Sequence, residues 1–148
     1  MKLHIINGPN LNLLGIREPE IYGTQGFDAF FEQLQSEFPD HEISYFQSNV
    51  EGELINNLQA EGFSADGIIL NAGAYTHTSI AIGDAVAAIK TPVLEVHISN
   101  VFSREEFRHV SYIAPKAIGI VSGLGLNGYR LAILHFISSN KVKKIRIY

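Results

Sequence analysis

Short apolar runs with strand character alternate along this chain with stretches whose apolar residues recur at helical spacing, and that alternation narrows the fold to a parallel sheet covered by helices. The strand-like runs are residues 2–6, 43–46, 67–70, 93–98 and 117–121. Asn7-Gly8-Pro9-Asn10, a set of strong turn formers, stops the first. Between the runs, Phe27, Phe30, Phe31, Leu34 and Phe38 fall on one helical face ahead of Pro39. Leu54, Ile55 and Leu58 predict a second helix closed by a glycine cap at Gly62. Residues 79–89, rich in Ala and Ile, predict a third that Thr91-Pro92 breaks, and residues 129–137 a fourth after the turn SGLGLNG.

Five strands and four helices in 148 residues suit a single domain over 1–148 with an α/β, flavodoxin-like three-layer sandwich around a five-stranded parallel sheet. With 46% hydrophobic residues, 18% charged residues and a net charge of −4, neither a disordered chain nor a basic nucleic-acid binder is expected. No cysteine is present, which removes disulfides, thiolate metal sites and thiol nucleophiles together. No segment approaches the roughly 20 apolar residues of a membrane span, and the expectation is a cytoplasmic protein without membrane or nucleic-acid partners.

In open parallel sheets, ligands bind beyond the carboxyl ends of the strands, where the strand order reverses. The segments there, residues 7–26, 71–79 and 97–108, hold most of the candidate polar chemistry. The first is unusually long for a strand-to-helix connection and carries Asn10, Arg17 and Tyr22. A guanidinium beside a phenol favours tyrosinate, so Arg17 could make Tyr22 a base; an ordinary turn with a solvated tyrosine tip is the plainer reading. NAGAYTHTS puts Asn71 at a buried strand end, with small residues that let a ligand approach the backbone and His77 near a helix start. Thr78 or Ser79 could equally serve only as a helix cap.

EVHISN places Glu95 and His97 on one face of the fourth strand, with Ser99 and Asn100 opening the loop. A carboxylate beside an imidazole holds its tautomer and suits it to general-acid work, although a buried structural hydrogen bond would look the same in sequence. Arg104 and Arg108, four apart in SREEFRH, would lie on one side of a helical turn and suit a ligand carboxylate or hydroxyls, or else pair with Glu105 or Glu106 on the surface. Asp84, in a helix beyond its first turn, reads as solvated unless it meets another chain.

Taken together, GPNLNLLGIREPEIYG, FQSNVEGELI, NAGAYTHTS, EVHISN, REEFRHVS and SGLGLNGY follow one another in an order that closely resembles the type II 3-dehydroquinate dehydratases over nearly the whole chain. The resemblance implies a flavodoxin-like fold, a homododecamer built as a tetramer of trimers, and conversion of 3-dehydroquinate to 3-dehydroshikimate with no metal and no organic cofactor. It implies Tyr22 as the base that removes a proton next to the ketone, Arg17 as the group that keeps Tyr22 ionised, and Asn10 as a stabiliser of the enolate oxygen through a water. It implies His97 as the acid for the departing hydroxyl, oriented by Glu95. Asn71, His77, Asp84 and Arg108, with the backbone amides at Ile98 and Ser99, match substrate-binding positions, and Arg104 a supporting one. Val101-Phe102-Ser103 departs from a more polar stretch common among relatives, at no cost to an assigned role.

An imine route would need a lysine in the pocket, whereas Lys2, Lys90, Lys116, Lys141, Lys143 and Lys144 fall at element ends or in the tail. A metal-dependent lyase using His77, His97, Asp84 or Glu95 fits no familiar ligand spacing. A receiver domain would want acidic residues where Asn7 and Asn71 stand, and a flavin module a Ser/Thr-rich phosphate loop where LNLLG stands.

Overall fold

The computed structural model describes residues 1–16, 20 and 24–145. Five strands form one sheet, β1 (Lys2–Asn7), β2 (Glu42–Gln47), β3 (Gly67–Asn71), β4 (Val93–His97) and β5 (Gly119–Ser122), in the order β2-β1-β3-β4-β5. Every adjacent pair is parallel, with an α-helix after β1, β2, β3 and β5 and three short helical turns between β4 and β5. This is the flavodoxin-like order, and it reverses between β1 and β3.

The helices are α1 (Phe27–Glu37), α2 (Glu51–Glu61), α3 (Ile80–Ala88) and α4 (Asn127–Ile145). They divide into two layers, each with its own apolar core. One core joins Phe27, Phe30 and Leu34 of α1 with Tyr129, Ile133 and Phe136 of α4 over Leu3, Ile5, Ile69 and Val96. The other joins Leu54 and Leu58 of α2 with Ile82 and Val86 of α3 over Ile6, Ile68, Leu70 and Val93. Successive strand residues point to opposite faces, so Ile5 and Ile6, or Ile68 and Ile69, serve different cores.

Gly62 caps α2 as expected, in right-handed backbone with φ −67°. A Cβ there would lie 2.4 Å from the Ile89 side chain, so close packing at the end of α3 is what requires glycine. The last strand begins at Gly119 rather than 117. Helix α4 starts two residues before Tyr129 and runs to Ile145, because SSNKVKKI continues the helix after the apolar stripe that marked it in sequence has ended. Among the described residues no helix is long and apolar enough to cross a membrane.

Candidate active site

At the β1/β3 reversal the two strand ends meet closely. Gly8 N–H donates to Asn71 O at 2.7 Å, and a Cβ on Gly8 would lie 2.4 Å from Ala72 O, so only glycine lets the two loops part here. The chain then turns through Asn10, whose φ of 69° is the one left-handed non-glycine among the described residues, into the short helical turn Leu11–Leu13. The Asn10 backbone N–H is held by Asn49 Oδ1 at 3.0 Å, which leaves the Asn10 side chain at the rim of the cleft that opens above.

That cleft has a volume of about 120 Å³, and Asn10, Asn71, His77, His97, Ile98, Ser99, Arg104 and Arg108 all line it. Three separate loops thus bring their predicted residues to one place. None of the chain's described lysines is among the lining residues; Lys2 pairs instead with Glu61 at 3.0 Å.

Behind the cleft-lining Asn71, Tyr129 is fully buried and its hydroxyl joins the two strand-end asparagines. Tyr129 Oη donates to Asn7 Oδ1 at 2.7 Å and accepts from Asn71 Nδ2 at 2.9 Å. Asn71 Oδ1 accepts the Gly73 N–H at 3.2 Å, so the amide's orientation is set from both sides. Burial, above all, holds the Tyr129 hydroxyl well above the ordinary phenol range, so it stays a neutral donor. Asn7 and Tyr129 were not singled out by sequence reasoning; their signal was only an asparagine ending each of two adjacent strands and a tyrosine closing SGLGLNGY.

The cleft-lining His97 and, behind it, Glu95 are both buried on β4, and His97 Nε2 lies 2.6 Å from Glu95 Oε1. The same carboxylate accepts from Ser111 Oγ at 2.9 and 3.0 Å. The alternation that placed Glu95 and His97 on one face therefore also gives the pairing, with Nδ1 left as the ring atom not bound to Glu95. The His77 ring stacks near His97, with centroids 6.1 Å apart and an interplanar angle of 22°, and its Nδ1 lies 2.7 Å from Val110 O. Desolvation lowers the His77 pKa, with the nearby His97 and Arg108 adding to the effect, so His77 is a neutral imidazole donating Nδ1–H to the carbonyl.

Arg104 and Arg108 reach the cleft without sharing a helix: Arg104 follows the turn Val101–Ser103, and Arg108 lies in the turn Glu106–His109. Arg104 Nη1 donates to Ser99 Oγ at 3.3 Å, and Arg108 Nε to Glu105 Oε2 at 2.7 Å. The surface pairing considered from sequence is thus real for Arg108 and, at 3.8 Å from Glu105 Oε2, for Arg104 as well, yet both residues line the cleft. Asp84 does not join this group. It is exposed on α3, on the face away from the buried Ile82, Ala85 and Val86. Tyr22 and Arg17 lie outside the described residues. Among those described, no group of three or more His, Asp or Glu side chains is placed to hold a metal ion.

The family description Dehydroquinase class II matches residues 1–137. A 3-dehydroquinate dehydratase of Prochlorococcus marinus is 51% identical over 140 residues, spanning 93% of this chain and 97% of its own length. One from Exiguobacterium sp. is 53% identical over 134 residues, spanning 90% and 92%. The crystal structure of the type II dehydroquinase from Butyrivibrio crossotus superposes with a TM-score of 0.88 at 46% identity, covering 92% of this chain and 97% of that one. With relatives matching nearly end to end and the family's own match spanning all three loops of the cleft, the chain belongs to the class II dehydroquinases.

Proposed function

We propose that this chain, a hydro-lyase converting 3-dehydroquinate to 3-dehydroshikimate in the shikimate pathway, works through an enolate with its own side chains as base and acid. The observation that carries the mechanism is the buried Glu95–His97 pair on the wall of a cleft whose other polar groups come from three different loops. Elimination next to a ketone needs a base for the proton, a partner for the enolate oxygen and an acid for the departing hydroxyl.

In this reading Tyr22, kept ionised by Arg17, takes the proton beside the ketone. Asn10, through a water, stabilises the enolate oxygen. His97, protonated on Nδ1 and held through Nε2 by Glu95, gives its proton to the leaving tertiary hydroxyl, which departs as water as the double bond forms. Asn71, His77 and Arg108 bind the hydroxyls and carboxylate, Arg104 supports them, and the backbone amides at Ile98 and Ser99 meet the carboxylate. No metal or organic cofactor is assigned.

A single domain over 1–148, a cytoplasmic site of action and a homododecamer arranged as a tetramer of trimers belong to the same proposal. Assembly is supported by the exposed apolar side chains Ile80, Phe102, Phe107, Ile118 and Ile120. It would also give the exposed Asp84 a substrate to meet, in the cleft of a neighbouring copy. The test is absorbance at the enone band of 3-dehydroshikimate after chelator-treated protein is mixed with 3-dehydroquinate. A rise that Tyr22→Phe abolishes is expected; no rise from folded, assembled protein, or one that returns only with added divalent ion, overturns the reading.

A further inference from the structure

We infer that Ser111 is a positioning residue for the acid step, fixing Glu95 as a hydrogen-bond acceptor and thereby setting the tautomer in which His97 presents its proton. The hydroxyl has one proton and two lone pairs. Both lone pairs are taken by backbone donors, Ile113 N–H at 3.1 Å and Ala114 N–H at 2.9 Å. Its proton can then go only to Glu95, which it faces at 2.9 and 3.0 Å. A freely turning serine could donate or accept; this one is held as a donor by the chain that follows it.

Glu95 therefore receives donors from two directions, Ser111 O–H and His97 Nε2–H, the latter at 2.6 Å. With Nε2–H committed to Glu95, the labile proton of His97 is the one on Nδ1. Ser111 also draws off part of the Glu95 charge, which keeps the carboxylate from binding the imidazolium too strongly to release its proton. The other charged or titratable groups around the pair are His77, stacked on His97, and Arg104 and Arg108 on the cleft lining. None of them touches Glu95 among the hydrogen bonds of the described residues. Ser111 follows directly on Val110, whose carbonyl accepts from His77, so one strand of backbone orients both histidines.

The inference rests on the assignment of His97 as the acid, and the test separates the two. Ser111→Ala should lower kcat about tenfold, the scale of one hydrogen bond to a charged group, with KM changed by less than about twofold. The alkaline limb of the kcat profile, where His97 must still carry its proton, should move up by about half a pH unit or more, because the unshared Glu95 charge holds that proton more tightly. Ser111→Thr, which keeps the hydroxyl, should restore both. Should Ser111→Ala fail to fold, Ser111→Cys gives the same reading, since a thiol fills the space but donates weakly. A fall in kcat with the limb unmoved would make Ser111 merely structural and overturn the inference, as would an unchanged kcat. His97→Ala is run alongside: if it retains turnover, the acid assignment itself fails, whereas an inactive His97→Ala beside an unaffected Ser111→Ala rejects only the role of Ser111.

Discussion

Replacing Tyr129 with phenylalanine removes the one oxygen that holds the cleft-lining Asn71 from behind and leaves the ring, packed edge-on against Phe27 with centroids 5.0 Å apart, in place. The oxygen joins Asn7 on β1 to Asn71 on β3, and both asparagines are buried at 0% and 4% exposure, so water cannot take its place without a rearrangement. Asn7 Nδ2 already has no hydrogen-bond partner. The substitution would strand Asn7 Oδ1 and Asn71 Nδ2 as well. At ~1–3 kcal/mol for each of the two buried groups left unpaired, the loss should be about 2–6 kcal/mol. With a urea slope of roughly 2 kcal/mol per M, the unfolding midpoint should fall by about 1–3 M. Circular dichroism in urea at one fixed protein concentration measures this, because the proposed assembly would make apparent stability depend on concentration. KM for 3-dehydroquinate should rise in parallel, since the Asn71 amide keeps only its bond to Gly73. A midpoint shift below about 0.3 M would refute the bridge as a source of stability.

Gly8→Ala sets a methyl group 2.4 Å from the Ala72 carbonyl oxygen, backbone against backbone, and should cost about 3 kcal/mol or more in the same urea assay. A near-neutral result would mean that the β1 and β3 loops part more easily than the packing implies. Arg108→Ala should raise KM roughly tenfold or more with a smaller effect on kcat, the pattern of a group that binds substrate and transition state alike, checked by steady-state kinetics. His77 supplies a pH test. Its folded pKa lies below its unfolded value, so the unfolded chain binds the proton more readily; its contribution is intact above about pH 6.5 and is lost as pH falls through that value towards the folded pKa. The melting temperature should therefore drop less steeply on acidification below about pH 6.5 in His77→Asn than in the parent protein.

Most of the sheet was legible because buried parallel strands are continuous apolar runs and each helix showed its own stripe. Even the place of the cleft followed from the alternation, since the loops after β1, β3 and β4 are the ones that a 2-1-3-4-5 order brings together. The Glu95–His97 pair was legible for a similar local reason, a two-residue spacing on a strand. What stayed hidden were partners far apart in sequence. Tyr129 meets Asn7 across 122 positions, and nothing local in SGLGLNGY distinguishes that tyrosine from a core aromatic. Ser111 stands 16 positions from Glu95, and a serine after a histidine and a valine carries no signal of its own. Arg104 and Arg108 reached the cleft as expected but through two short turns, because spacing alone cannot separate one helical turn from two. Gly62 was legible as the cap that ends its helix, but the packing against Ile89 that requires glycine there was not.

The central claim is that proton removal and hydroxyl loss are separate acts by separate side chains, with His97 responsible only for the second. Incubating His97→Ala with 3-dehydroquinate in D2O and following the unreacted substrate by NMR tests this directly. The expected result is deuterium entering the position next to the ketone while no enone forms, since the base still makes the enolate and the hydroxyl cannot leave. Enone formation at the parent rate, or a borohydride-trapped adduct between substrate and a lysine of the parent protein, would contradict it.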